Sequence, residues 1–171
     1  ETIFEATREL SFSAMFRERM KTMPEEQRQT RFTNVGDPNK RARLISTYEL
    51  GVESPYVFLA IGNWEKAFKT MDASLAEFGG PWLLGSNFTL ADINMIPYLW
   101  RIEYLDLIDI WLDDHPATAD WWALAKTQPS AVACIPDRLG EDDIAAMQEH
   151  GGRLRDAVRA KRAGYLETVP Y

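Results

Sequence analysis

Few residues in this sequence have the type and spacing to carry out reaction chemistry themselves. The two histidines, His115 and His150, lie far apart, and neither has a cysteine or a second histidine at metal-ligand spacing. His115 directly precedes Pro116 and reads as a turn residue. The single cysteine, Cys134, excludes an internal disulfide and a cysteine metal cage. Its neighbours Ala131, Val132, Ala133 and Ile135 are apolar, so it reads as a packed core thiol, not as a thiolate, which needs a cationic or helix-N-terminal setting. There is no Gly-x-Ser-x-Gly nucleophile turn and no glycine-rich phosphate loop, and Gly79-Gly80 and Gly151-Gly152 read as helix breakers. The acid pairs Asp113-Asp114 and Asp142-Asp143 suit helix ends, where the backbone dipole meets charge. The expectation is a chain with no catalytic residue of its own and no metal.

The most informative local pattern is structural. Thr89-Leu90-Ala91-Asp92 forms a capping box, in which the Thr89 hydroxyl accepts a backbone N–H of the first turn and the Asp92 carboxylate reaches back to the N–H of Thr89. The helix it opens is apolar on nearly every side, with Leu90, Ile93, Met95, Ile96, Leu99, Trp100 and Ile102, which predicts a central, enclosed helix. Asp92 is therefore expected to be a structural carboxylate rather than a catalytic acid. Unmade hydrogen bonds in a buried first turn would cost about 1–3 kcal/mol each.

The elements around this helix follow from periodicity and stop signals. A first helix runs from Thr2 to Met23, with Phe12, Phe16, Met20 and Met23 at helical spacing, and Pro24 ends it. Asn34-Val35-Gly36-Asp37-Pro38 is a turn, and Pro38 opens a short helix through Leu44 and Tyr48. Ser54 and Pro55 start a long helix carrying Val57, Ile61, Trp64, Phe68, Met71 and Leu75, which Gly79-Gly80-Pro81 stops. Helices over Leu90–Tyr104, Thr118–Lys126 and Asp142–Ala163 follow. Strand patterns are missing. The fold class is all-α: one helical bundle of about six helices without a sheet, spanning residues 1–171 as a single domain.

Charge narrows the partners. The net charge is −7, and residues 51–151 carry 5 Lys/Arg against 16 Asp/Glu. Such an acidic middle repels phosphate backbones, so nucleic acid is not an expected partner. The basic stretch Arg153 to Arg162 reads as a solvated face. No apolar run reaches the length of a membrane span, and no signal peptide is evident, so no membrane partner is expected. Low cysteine use suits a cytoplasmic setting. The chain opens on Glu1 instead of a methionine, which suggests a fragment, a processed product or a trimmed chain and leaves open what precedes Glu1.

The wider string Pro81-Trp82-Leu83-Leu84-Gly85-Ser86, then Phe88-Thr89-Leu90-Ala91-Asp92-Ile93 with Pro97 inside the helix, resembles the C-terminal domain of the glutathione S-transferases. The segment from His115-Pro116 through Ala119-Asp120-Trp121-Trp122 to Pro129 is similar to the family's next helix. The resemblance covers Ser54 to Ile135 and loosens before it, where residues 24–48 look like an insertion. That insertion resembles bacterial members acting on aromatic ethers or chlorinated phenols.

The resemblance implies a division of labour. In this family a thioredoxin-like N-terminal domain binds glutathione and lowers its thiol pKa, while the helical domain covers the pocket for a hydrophobic electrophile. This sequence has no thioredoxin-like pattern, so the isolated chain is expected to be inactive, with glutathione bound mainly by the missing domain. The family's first helix lines the cleft, which makes Ser11, Phe12, Met15 and Phe16 the substrate-binding candidates. Arg8 and Arg17 are candidates for a carboxylate, though an exposed charge explains them as well. The family dimerises through its two long helices, implying a homodimer of the full protein with Tyr56 and Trp64 as interface candidates beside their core role. The alternative is a non-catalytic protein-interaction module, since such domains are also appended to translation factors and tRNA synthetases.

Overall fold

The computed structural model describes residues 2–169, where regular structure is helical and extended backbone pairs only at an isolated bridge between Trp82 and Gly85. The first predicted helix is present but changes pitch part-way. α1 (Thr2–Ser11) passes into a π-helical turn (Phe12–Phe16), which the N–H of Arg17 closes on the carbonyl of Phe12, and continues as α2 (Arg17–Lys21). The buried apolar residues are Ala6, Leu10 and Ala14, then Met20. Phe16 is 46% exposed, so the four-residue spacing of Phe12 and Phe16 does not mark the core face. Small side chains on the inner face let α1 lie close to its neighbour, and helix separation depends on the side chains at the contact.

Residues 24–48 are folded as two helices, α3 (Glu25–Thr33) and α4 (Pro38–Leu50). Asp37 caps α4 by accepting the N–H groups of Asn39 (2.8 Å) and Lys40 (3.1 Å). Those bonds, Lys40's first, hold its carboxyl below the usual carboxylate range. Arg17 ties the other end of α4 down, donating to the carbonyls of Tyr48 (2.8 Å) and Glu49 (2.9 Å). Between them, Thr47 donates to the buried Glu9 carboxylate at 2.8 Å.

α5 (Pro55–Phe78) is the true centre of the bundle. As expected, the Ser54 hydroxyl accepts the N–H of Tyr56, and Gly79 ends the helix in the left-handed region at φ 63°. Val57, Ile61, Trp64 and Phe68 are fully enclosed, and α5 packs on α1. α6 (Leu90–Tyr104), expected to be enclosed all round, is enclosed on one side only. Ile96, Leu99, Trp100 and Ile102 are buried, yet Leu90 is 80% and Ile93 49% exposed. An apolar circumference shows that a helix can be covered on every face; it does not show that this chain supplies the cover.

Five further helices complete the bundle: α7 (Asp109–Leu112), α8 (Pro116–Ala125), α9 (Pro129–Cys134), α10 (Glu141–Gly152) and α11 (Arg155–Thr168). The described residues thus form eleven α-helices rather than about six. The excess comes from the π turn, from α3, which no periodicity announced, from a break after Gly152, and from the short α7 and α9. Cys134 is exposed, contrary to expectation, because α9 is only six residues long and buries Ala131 alone, leaving Cys134 on its outer side. Gly151 lies against the residue that ends α6: a Cβ there would stand 1.9 Å from the Leu105 carbonyl oxygen. Gly151→Ala is therefore expected to destabilise the chain by about 2–3 kcal/mol, the cost of overpacking against backbone that cannot yield. Urea denaturation checks this, with Gly152→Ala as control, since its nearest contact would be Asp106 Oδ2 at 3.5 Å.

Two further expectations change on a buried ion network. Arg162 is not on a solvated face. It is buried, donating to Glu65 Oε2 (2.7 Å), to Asp114 Oδ2 (2.6 Å) and to the Ile110 carbonyl (2.6 Å). Burial opposes its charge, but the bonds to Glu65 and Asp114 outweigh this and hold its pKa above the ordinary guanidinium value. His115 is likewise more than a turn residue. It is buried, stacked on Phe68, and its Nδ1 lies 2.7 Å from Asp72 Oδ2. Asp72 also accepts the N–H and hydroxyl of Thr118 at 2.9 and 2.6 Å, capping α8 from another helix.

Candidate functional site

A clasp is centred on Asp92, which is fully enclosed. Its Oδ2 accepts the N–H (2.8 Å) and hydroxyl (3.0 Å) of Thr89, and the Thr89 hydroxyl in turn accepts the N–H of Ala91 at 3.2 Å. This is the predicted capping box. Its Oδ1 does more than the sequence disclosed, accepting the N–H of Leu83 at 3.0 Å and the indole N–H of Trp121 at 2.8 Å. One carboxylate thereby ties the 79–88 loop and α8 to the start of α6. Close contact inside the loop fixes it further, because a Cβ on Gly80 would fall 2.1 Å from the Gly85 carbonyl oxygen.

The four substrate-binding candidates separate into two pairs. Phe12 and Phe16 come together with Arg19, Met20, Met23 and Arg31 around a groove of about 260 Å³. Ser11 is buried and Met15 packs against the core, and neither lines that groove. The π turn separates them: its extra residue offsets facing positions from the three- and four-residue spacing of an α-helix, and such turns are frequent at functional sites. The sequence offered no signal for Arg19 and Arg31 as groove residues, since Arg31 arrives on α3 from beyond a proline turn.

The remaining candidates are accounted for inside the fold. Arg17 holds the end of α4 rather than facing the groove, and Arg8 pairs with Glu9 at 2.6 Å. Trp64 is fully enclosed, so it is core and no interface residue; Tyr56 is half-buried beneath the Arg43 guanidinium. Cys134 lines a separate groove with Trp100, Arg101, Tyr104 and Arg138.

A larger cavity of about 440 Å³, unforeseen from sequence, opens between α1, α5 and α6, with Ile3, Ala67, Met71, Leu83 and Met95 on its walls. Phe4, 54% exposed, continues this surface into the bare side of α6 at Leu90, Ile93 and Pro97.

The model of the "Glutathione S-transferase, C-terminal domain" family matches residues 25–123 of this chain. The chain belongs to that family. The matched span of this glutathione S-transferase C-terminal domain takes in α3 and α4 as well as the Asp92 clasp. Among curated proteins, it is 36% identical over 52 residues to the glutathione S-transferase TCHQD of Arabidopsis thaliana, covering 30% of this chain and 20% of that protein. It is 34% identical over 62 residues to the 2,5-dichlorohydroquinone reductive dechlorinase of Sphingobium indicum, covering 36% of this chain and 18% of that protein. The aligned part of the chain thus spans about a fifth of the length of these relatives. No solved structure matches the chain. No helix among the described residues is long and apolar enough to cross a membrane.

Proposed function

We propose that this chain is the co-substrate-binding domain of a glutathione S-transferase, in a protein that joins or transfers glutathione to a hydrophobic electrophile. The observation that carries this reading is the π turn, which directs Phe12 and Phe16 outward into a groove in a member of this family. The bare face formed by Phe4, Leu90, Ile93 and Pro97 fits a thioredoxin-like N-terminal domain packed over the start of α6. That partner would hold glutathione and generate its thiolate, the attacking species. The chain's own residues bind the apolar co-substrate and keep water from it; Cys134, its one thiol, lines a different groove. The dechlorinase relative, named for a chlorinated aromatic, supports an aromatic co-substrate. The full protein is proposed to pair with a second copy.

Steady-state kinetics on the complete two-domain protein test this, with glutathione and a chloronitrobenzene. Phe12→Ala and Phe16→Ala are each expected to raise KM for the aromatic about tenfold, the loss of part of an aromatic side chain's burial, and to leave KM for glutathione unchanged. The 171-residue chain alone is expected to show no turnover. An unchanged KM in both variants, or turnover by the isolated chain, would overturn the proposal.

A further inference from the structure

The groove at Phe12 and Phe16 has a charge pattern that an apolar co-substrate alone does not explain. Arg19 and Arg31 stand on its lining beside an aromatic and thioether floor. Elsewhere in the first fifty residues each arginine is engaged: Arg8 with Glu9, Arg17 with the end of α4, Arg28 with Glu25, Arg41 with the Val35 carbonyl and Arg43 with Glu5. Among the described residues, Arg19 and Arg31 have no ion pair, hydrogen bond or ring contact from their guanidinium groups. The helix that carries Arg31 adds little to the core, since α3 buries only Phe32. What α3 does add is the far wall of this groove and a second positive charge.

Two like charges brought to one apolar cleft repel each other, and an anion between them removes that repulsion. A guanidinium is also suited to the task, offering a planar fork to a carboxylate or phenolate and a flat face to an aromatic ring. We infer that this groove selects an aromatic anion, its ring on Phe12, Phe16, Met20 and Met23 and its carboxylate or phenolate oxygen held by Arg19 and Arg31. At about 260 Å³ the groove suits a small aromatic rather than a peptide. The inference rests on the reading of this groove as the co-substrate site and adds the charge of the co-substrate to it.

Titration calorimetry of the 171-residue chain with 2-naphthoate and its neutral counterpart 2-naphthamide tests the inference. The acid is expected to bind about tenfold more tightly than the amide, and Arg19→Met and Arg31→Met are each expected to weaken the acid about tenfold while leaving the amide within about twofold. Both arginines are exposed and unpartnered, so the variants should keep the parent thermal midpoint. Equal affinity for acid and amide, or an equal loss of both in the arginine variants, overturns the charge selectivity. If Phe16→Ala then weakens both ligands alike, the co-substrate reading of the groove stands without it. If neither ligand binds the parent chain, both readings fall together.

Discussion

Asp92→Ala is expected to remove about 4–5 kcal/mol of stability, a large share of what a domain of this size possesses. The substitution strands the donors that this carboxylate serves. Without the carboxylate, the N–H of Leu83 and the indole N–H of Trp121 lose their acceptor in a site closed to water, and the half-buried N–H of Thr89 loses its own. Each such buried donor costs about 1–3 kcal/mol, and the cavity adds to it. Chemical denaturation of three variants separates the parts. Asp92→Asn keeps one acceptor oxygen and should fall about midway, whereas Trp121→Phe removes a single donor and should cost about 1–2 kcal/mol. A loss below about 1 kcal/mol for Asp92→Ala would show that loop, α6 and α8 are held together by something else.

Arg162→Met is expected to cost about 3–5 kcal/mol, the penalty of leaving a buried carboxylate without its counter-charge. The exposed Asp114 can return to water, so the burden falls on Glu65, which is enclosed. His115 Nε2 at 3.7 Å and Lys69 Nζ at 3.6 Å lie near the other Glu65 oxygen and cushion the loss without replacing the direct bond. The double variant Arg162→Met/Glu65→Leu should recover most of the stability, because a buried ion pair exchanged for apolar side chains of similar volume is close to neutral. Denaturation of both single variants and the double variant gives the coupling directly. Strict additivity would mean the two side chains do not act as a pair.

What the sequence disclosed, and what it hid, divides by the range of the interaction. Caps and stops are local, and Ser54, Pro38, Gly79 and the Thr89–Asp92 box stand where residue type alone put them. The family followed from one such local string. The reach of Asp92 to Trp121, of Asp72 to Thr118 and of Arg162 to Glu65 crosses 29, 46 and 97 positions, and no spacing rule announces a bond between separate helices. In the groove, Phe12 and Phe16 were legible as apolar candidates, whereas Ser11 and Met15 were misplaced because a π turn has no distinctive composition. Cys134 shows a related limit: apolar neighbours along the chain say little about burial when the helix is a turn and a half long.

The extra residue at positions 12–16 uncouples the two ends of the first helical rod. α1 keeps Ala6 and Leu10 on the bundle and α2 keeps Met20 inward, and the mismatch between those demands is absorbed where the aromatic pair emerges. Removing one residue there would turn one end against the other by about 100°, the rotation per residue of an α-helix. The number of residues in that turn, more than their identity, governs which side chains a small molecule meets.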